Sequence, residues 1–421
     1  MLSARPFGGA NNTRCMRTMS TTATDPRMSG ARRAPPKGLS LSWSDPRFRA
    51  IVWQVVIVGL LVAGVWYLAS NTATNLEERR IATGFDFLGR TAGIPIGEHL
   101  IPYDPSVHTY GRAVLVGILN TLMVTVVGVA LISLLGTVVG IASLSNNWLL
   151  SRLCRAYVEG MRDVPLLLHL LFWYAVMLTF PPVRDAISVM PGVFMSNSGL
   201  KVPLLIWENA HTGAALAFLG GSVATWFASR RATAIQHATG IRPAVWPVVL
   251  VGLVLLPLAV WALMGAPFAL DIPVKARFRF NGGATISPEF TALMIGLVLY
   301  HSAFAAEIVR SGILSVPTGQ WEAGGALGLK RGTMLRMIVL PQALRVIIPP
   351  MTSTYLGVAK NSSLAVAIGY PDLVSIVNTT LNQTGQAIEG IAIIMAVYLS
   401  ISLSISLFMN WYNARIALVE R

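Results

Sequence analysis

The sequence predicts an all-α polytopic membrane protein with about eight transmembrane helices. Of its 421 residues, 54% are hydrophobic and only 12% are charged, whereas soluble domains carry about 25% charged residues. Apolar runs of about 20 residues, long enough to cross a hydrocarbon core of about 30 Å, recur along the chain. The segments between these runs alternate between basic and acidic or neutral composition, as the positive-inside rule expects.

The charge and cysteine content exclude several other classes of protein. The net charge of +14 does not indicate nucleic-acid binding, because the basic residues are divided among alternating loops instead of forming one face. Cys15 and Cys154, the two cysteines, provide neither a disulfide framework nor a metal site. The chain has no G-x-x-x-x-G-K-[ST] phosphate loop. We therefore expect no cofactor and no catalytic centre on this chain.

The amino-terminal part is predicted to form a tail, a first span and an outer loop. Residues 1–50 are basic and poor in acids, and we expect a disordered cytoplasmic tail, although organellar transit peptides have a similar composition. Residues 51–70 are apolar and form the first span, which starts inside because the basic tail precedes it. Residues 71–112 are acidic to neutral and are expected outside.

Residues 113–421 are predicted to carry the remaining spans. These lie at about 114–144, 165–180, 212–229, 245–264, 290–309, 343–367 and 387–411. Gly136 and Gly140 form a G-x-x-x-G pattern, which permits close helix packing, although a helix with two small residues is an equal alternative. With this number of spans, the loop at 265–288 lies on the outer side of the membrane, although it is basic. Eight spans place both termini in the cytoplasm.

Residues 315–350 lie between two predicted spans but do not form one themselves. They carry five charged residues, and three prolines interrupt their second half. Each charge costs about 2.5–3.5 kcal/mol at bilayer depth. We therefore predict a helical hairpin outside the hydrocarbon, with a first helix at 319–327. Gly328 is placed to end that helix in a left-handed conformation, and Thr333 to cap the next one.

Seven residues of this hairpin resemble the EAA loop of ABC importer permeases, whose pattern is E-A-A-x3-G-x9-I-x-L-P. They are Glu322, Ala323, Gly324, Gly328, Ile338, Leu340 and Pro341. Gly324 replaces the second alanine, a change that keeps this position small. The resemblance implies that the first helix docks on a separate ATPase subunit, which would bind ATP and Mg²⁺. An ordinary basic cytoplasmic loop is the alternative interpretation.

Further segments resemble the general L-amino acid ABC transporter permeases, which belong to the polar amino acid uptake family of binding-protein-dependent inner-membrane components. These segments begin at Phe280 (F-N-G-G), Ala305 (A-A-E-I-V-R-S-G), Leu340 (L-P-Q-A-L-R), Lys360 (K-N-S-S-L-A) and Asn382 (N-Q-T-G-Q). The resemblance covers residues 45–421. It implies a type I-like importer core made of the second, third, sixth, seventh and eighth spans, with three extra helices: the first span and the inserted pair at about 212–264.

The resemblance also implies a function, a location and partners. We expect a non-catalytic transmembrane subunit of an ATP-driven amino-acid importer in the bacterial inner membrane. Its expected partners are a second homologous permease subunit, two copies of an ATPase subunit and an extracytoplasmic amino-acid-binding protein.

Two groups of polar residues within predicted spans are candidates for a substrate path. Because polar side chains avoid lipid, we expect Tyr300, His301 and Ser302 to face the bundle interior. A second group interrupts the seventh span and needs water or partner helices; it consists of Lys360, Asn361, Ser362 and Ser363. The ammonium of Lys360 could meet the carboxylate of an amino acid. Packing or hydrogen bonding between helices is the alternative role for both groups.

The alternative function is an ion-gradient-driven secondary amino-acid transporter. Glu307 and Arg310 lie three residues apart on one helix face, and we expect a structural ion pair, with a proton relay as the other interpretation. A secondary transporter would need several carboxylates at bilayer depth, and the sequence offers no series of them. A non-transporting scaffold or receptor would leave the polar run at 360–363 unexplained.

Overall fold

The computed structural model describes residues 43, 46–78, 83–241, 243–276 and 279–416. Nearly all of the predicted tail lies outside the described residues, and so does Cys15. The chain divides into two compact units, Met1–Arg79 and Arg80–Arg421. The described part of the first unit contains helix α1 (Pro46–Glu78), which includes the predicted first span.

The second unit is mainly helical. Its described helices are α2 (Tyr110–Ala142), α3 (Trp148–Asp163), α4 (Leu166–Leu178), α5 (Asn209–Thr239), α6 (Trp246–Leu263), α7 (Pro288–Leu314), α8 (Thr318–Ala326), α9 (Arg331–Ile368), α10 (Leu373–Thr384) and α11 (Ala387–Ile416). Two short 3₁₀ turns, Asp86–Gly89 and Val183–Asp185, lie in the connections. The helix α6 contains a π-helical turn at Val251–Leu255.

Six of the described helices are long and apolar enough to cross a membrane: α1, α2, α6, α7, α9 and α11. A seventh crossing is obtained if α3 and α4, which meet at an angle of 103°, count as one bent span. The fourth predicted span, at 212–229, lies within α5. That helix has 31 residues but falls short in hydropathy, because serines, threonines and Arg230 interrupt its apolar stretch.

Short β-strands, which the sequence analysis did not predict, lie at one end of the bundle. They are β1 (Ile187–Met190), β2 (Val193–Ser196), β3 (Gly199–Val202), β4 (Leu204–Leu205), β5 (Leu270–Asp271), β6 (Val274–Lys275), β7 (Phe280–Asn281) and β8 (Ala284–Ile286). The main sheet is antiparallel, in the order β1-β2-β3-β8. It joins the segment after α4 to the segment before α7, and we call this end of the bundle the sheet end.

The loop at 83–109 also folds against the sheet end. Phe87 and Ile94 are buried in an apolar cluster with residues of α2 and α10. The carboxylate of Glu98 accepts a hydrogen bond of 2.9 Å from the amide of Ser287, which follows β8. Burial raises the pKa of Glu98 above its usual range, although the bonds from Ser287 oppose this shift.

The centre of the unit is formed by α2 packed against α7. A Cβ atom at Gly136 would lie 2.5 Å from the Cβ of Ala305, and one at Gly140 would lie 2.7 Å from the carbonyl oxygen of Ala306. Real Cβ atoms do not approach other atoms so closely. The two glycines of the G-x-x-x-G pattern therefore allow α2 and α7 to pack closely against each other. Val309 completes this contact beside Gly140.

The helix α9 corrects two predictions about the hairpin. Thr333 does not cap it: Lys330 occupies the N-cap position and the helix begins at Arg331. The prolines do not interrupt it either, since Pro349 and Pro350 lie inside a continuous helical segment, Leu340–Asn361. A π-helical turn at Leu335–Val339 ends two residues before Pro341, and such a turn is a common way to accommodate a disturbed hydrogen-bond ladder.

Candidate functional site

The helix α8 forms a short elbow between α7 and α9. It ends where Gly328 takes a left-handed conformation, with φ at +72°, because a glycine has no Cβ to clash there. The amide of Leu329 donates a hydrogen bond of 3.1 Å to the carbonyl oxygen of Gly324. The amide of Gly328 donates one of 2.9 Å to the carbonyl oxygen of Gly325. These bonds satisfy carbonyls that a helix end leaves free. The predicted first helix and its glycine closure are thus both present.

The residues of the predicted ATPase-docking pattern divide into two sets. Glu322, Ala323 and Gly328 are exposed, whereas Gly324 is buried. A Cβ at Gly324 would lie 3.0 Å from Met334 and 3.4 Å from Ile338. A small residue is therefore required where α8 packs on α9. Leu340 and Pro341 follow the π-helical turn, and Leu340 is 46% exposed.

A groove runs between α7 and α9, which are the two helices that α8 connects. Its volume is about 500 Å³. On α7 and α3 it is lined by Arg162, Tyr300, His301, Phe304, Glu307, Ile308 and Ser311. On α9 it is lined by Pro350, Ser353, Thr354, Gly357 and Asn361. The groove therefore combines aromatic and apolar surface with a few hydrogen-bonding groups, as small-molecule sites commonly do.

His301 and Asn361 join the two walls of the groove. The side-chain nitrogen Nδ2 of Asn361 lies 3.1 Å from Nε2 of His301. Because an amide nitrogen only donates, Nε2 accepts, and the ring proton must then be on Nδ1 if the imidazole is neutral. Gly357 leaves room for this ring, since a Cβ there would lie 3.4 Å from Cε1 of His301.

Charged groups gather at one end of the groove. The guanidinium of Arg310 bonds both carboxylate oxygens of Glu307, at 2.9 and 2.5 Å, so the expected ion pair is present. The guanidinium of Arg162 lies 5.0 Å from the centre of the Phe304 ring. A second cavity of about 370 Å³ continues from this point and adds Arg155 and Glu159 to its lining. This end of the groove can thus bind both a carboxylate and an ammonium group.

The other predicted substrate-path residues do not line the groove. Ser302 is fully buried and its hydroxyl lies 2.7 Å from that of Tyr157. Ser362 and Ser363 bond carbonyls of their own helix, those of Ala359 and Lys360. The side chain of Lys360 is exposed and outside the groove lining. The helix changes from α to 3₁₀ at Ser362, within this polar run.

Several groove residues were not predicted, although a helical pattern could have identified them. Small or polar residues on α9 recur at positions 350, 353, 354, 357 and 361. These spacings of three, four, seven and eleven place them on one face of the helix. Arg162 was not among the predicted candidates. Its position beside α7 depends on the sharp bend between α3 and α4, which the sequence did not predict.

A family model for the inner-membrane component of binding-protein-dependent transport systems matches residues 132–418. The chain belongs to this family. The matched region of this inner-membrane component contains the groove and the elbow α8, and it begins within α2. It also includes α5 and α6, whereas α1 and the loop at 83–109 lie before it.

Relatives in the family extend over nearly the whole chain. The general L-amino acid transport system permease protein AapQ of Rhizobium johnstonii is 46% identical over 380 residues, 90% of this chain and 94% of its own. The putative amino-acid ABC transporter permease protein YhdX of Escherichia coli K12 is 47% identical over 392 residues, 93% of this chain and 99% of its own. A solved structure, an amino acid ABC transporter with histidines, aligns at 19% identity with a TM-score of 0.41, over 73% of this chain and 95% of that one.

Proposed function

We propose that this permease subunit of an ABC importer carries amino acids through a path that it forms with a second permease chain. The names of its relatives, at 46% and 47% identity, favour amino acids as substrates. The observation that carries the proposal is the position of the elbow. The exposed helix α8 connects α7 to α9, and these two helices form both walls of the groove. Force applied to α8 would therefore act on both walls at once.

The groove suits a ligand that has both a carboxylate and an ammonium group. Arg162 offers a guanidinium, which matches the planar geometry of a carboxylate. Glu307 lies in the same lining; its two carboxylate oxygens already accept hydrogen bonds from Arg310, and each keeps a further lone pair for an ammonium. Both groups of the ligand are common to all α-amino acids. Contact with them alone would allow many side chains to be accepted, with Phe304 and Ile308 providing apolar surface near by.

The charges around the elbow support a cytoplasmic position for it. Lys330, Arg331 and Arg336 follow α8 closely, and basic loops remain on the cytoplasmic side. The sheet end then faces outward, where a binding protein would deliver the substrate. Both termini lie in the cytoplasm of a bacterial inner-membrane protein. ATP and Mg²⁺ bind to two copies of a separate ATPase subunit, one of which contacts α8.

The ion-gradient alternative receives no support from the groove. A proton relay requires a carboxylate that exchanges its proton, and Glu307 is held in a bidentate pair with Arg310. It is the one carboxylate among the residues that line the described groove.

The proposal is tested by replacing Gly328 in the assembled transporter. Gly328→Leu forces a branched side chain into a left-handed conformation and should distort the end of α8. We expect ATP hydrolysis to continue while amino-acid uptake falls. The matched control is Gly332→Leu, since Gly332 is exposed, has ordinary backbone geometry and has no atoms near its Cβ position. Unchanged coupled uptake in Gly328→Leu would refute the role of this elbow.

A further inference from the structure

The helix α3 separates its apolar residues from its charged residues around the helix axis. At 100° per residue, its charged residues fall within an arc of about 100°. They are Arg152, Arg155, Glu159, Arg162 and Asp163. The opposite half of the helix carries Leu149, Leu150, Leu153, Cys154, Tyr157, Gly160 and Met161, with no charged residue. This separation is typical of helices that lie in a membrane surface.

The two halves of α3 differ in how far the bundle covers them. In the second half, the hydroxyl of Tyr157 donates a hydrogen bond of 2.8 Å to the carbonyl oxygen of Leu299 in α7, and Val158 is buried. In the first half, the leucines on the apolar side are between 42% and 59% exposed. They are Leu149, Leu150 and Leu153. The first half therefore presents an apolar surface that the described residues do not cover.

The bend after α3 turns this helix across the bundle. The next helix, α4, runs along α7, since Leu170 contacts Gly296 and the hydroxyl of Tyr174 donates a hydrogen bond of 3.2 Å to the carboxylate of Glu289. Because α3 meets α4 at 103°, α3 is nearly perpendicular to α7. The cavity of about 370 Å³ is enclosed by α3 and the last turns of α7. A helix that crosses the spans at this end of the bundle is parallel to the membrane surface.

The charged residues in the exposed half of α3 are both positive. Arg152 and Arg155 are exposed, and no acidic residue occurs between Asp104 and Glu159. Neither guanidinium forms a salt bridge within the described part of the chain. Phosphates of anionic lipids carry the complementary charge, and they lie at the depth where an arginine side chain leaves the apolar layer. The first half of α3 therefore matches both layers of a lipid leaflet.

We propose that the first half of α3, residues 148–155, lies in the membrane surface and binds anionic phospholipid. Leu150 and Leu153 enter the acyl layer, and Arg152 and Arg155 contact headgroup phosphates. This contact holds α3 perpendicular to the spans where protein does not cover it. The assignment to the cytoplasmic leaflet rests on the position proposed above for α8. The insertion itself does not, so a negative result with Gly328→Leu would leave it standing.

The insertion is tested with spin labels in the assembled transporter, reconstituted into vesicles of phosphatidylcholine and phosphatidylglycerol. Native thiols, including those of the other subunits, are first replaced by serine. Single labels are then attached in the variants Leu150→Cys, Leu153→Cys, Arg152→Cys and Glu159→Cys. Oxygen, and not a water-soluble nickel chelate, should reach the labels at the two leucine positions, with the reverse at the two charged positions. Labels at both leucine positions that the chelate reaches, or that neither reagent reaches, would overturn the insertion.

The role of the two arginines is tested by titrating phosphatidylglycerol onto the purified transporter and measuring the bound lipid by native mass spectrometry. Arg152→Gln combined with Arg155→Gln should weaken binding by on the order of tenfold, because each arginine near a membrane surface attracts anionic lipid. The matched control combines Arg90→Gln with Arg184→Gln, at two exposed arginines of the sheet end, and should bind as the unmodified protein does. Equal binding by the two double variants would show that α3 does not select anionic lipid.

Discussion

The imidazole of His301 accepts a hydrogen bond from the amide nitrogen of Asn361, 3.1 Å away, and this bond joins α7 to α9 across the groove. Asn361→Leu removes the donor and leaves a buried ring nitrogen unsatisfied. We expect a loss of about 1–3 kcal/mol in the free energy of unfolding. The measurement is denaturation of the purified transporter. Ser363→Ala serves as the control, because that hydroxyl bonds only its own helix, and an equal loss in both variants would contradict the assignment.

Arg162 is expected to bind the carboxylate of the transported amino acid. Arg162→Ala should raise the KM for uptake by roughly 10- to 100-fold, corresponding to a charged hydrogen bond of about 1.5–3 kcal/mol. The increase should be similar for substrates with different side chains. Arg152→Ala, at an exposed residue of the same helix α3 that does not line the groove, should leave KM unchanged. An increase confined to one substrate would show that Arg162 contacts the side chain instead.

Close packing of α2 on α7 makes Gly136 intolerant of any side chain. Gly136→Ala would bring a methyl group against Ala305, and we expect a destabilisation of about 1–3 kcal/mol from overpacking. Gly160→Ala is the matched control, since nothing lies near its Cβ position. Alanine favours a helix by about 1 kcal/mol over glycine, so Gly160→Ala should be neutral or stabilising. Thermal unfolding of the two variants distinguishes these outcomes.

Glu98 should make stability depend on pH. Its pKa is raised by burial, so the folded carboxyl keeps its proton to a higher pH than the unfolded one. The free energy of unfolding should therefore fall as the pH rises above the ordinary value of about 4.3. Glu98→Gln keeps an acceptor for Ser287 and should weaken this dependence.

Asp104 provides a control of opposite sign in the same loop. Hydrogen bonds from Ser106 lower the pKa of Asp104, so its contribution is present above the ordinary pKa and is lost as the pH falls. The Asp104→Asn variant should therefore lose as much stability as the unmodified protein when the pH rises. Unfolding of both variants across a pH series checks the prediction, and identical pH profiles would contradict it.

Much of the helical architecture could be predicted because long apolar runs and alternating loop charges are properties of local sequence. The elbow was predictable for a similar reason: Gly328 has a conformation that glycine favours, at a fixed distance after Glu322. Thr333 failed as a cap because Lys330 already begins the helix. A weak local preference for threonine does not determine where tertiary packing starts a helix.

The groove was predicted only in part. His301 and Tyr300 were identified as polar residues in an apolar helix, and the structure places both in the groove lining. Lys360 was predicted in a second candidate group, but it lies outside the groove lining, because its position one residue before Asn361 turns it to another side of the helix. Arg162 reaches the groove through the 103° bend between α3 and α4. No local pattern specifies that angle, which depends on packing between distant segments.

The pairing of β3 with β8 has a consequence for how this protein could be rebuilt. Val202 and Ala284 are directly opposed in that pair, so their Cα atoms lie about 5 Å apart. The segment between them, which contains α5 and α6, therefore starts and ends at neighbouring positions of the sheet. A two-residue turn such as Asn-Gly could bridge the gap. The segment is therefore modular: it could be excised or exchanged for a reporter domain with no change in the path of the remaining backbone.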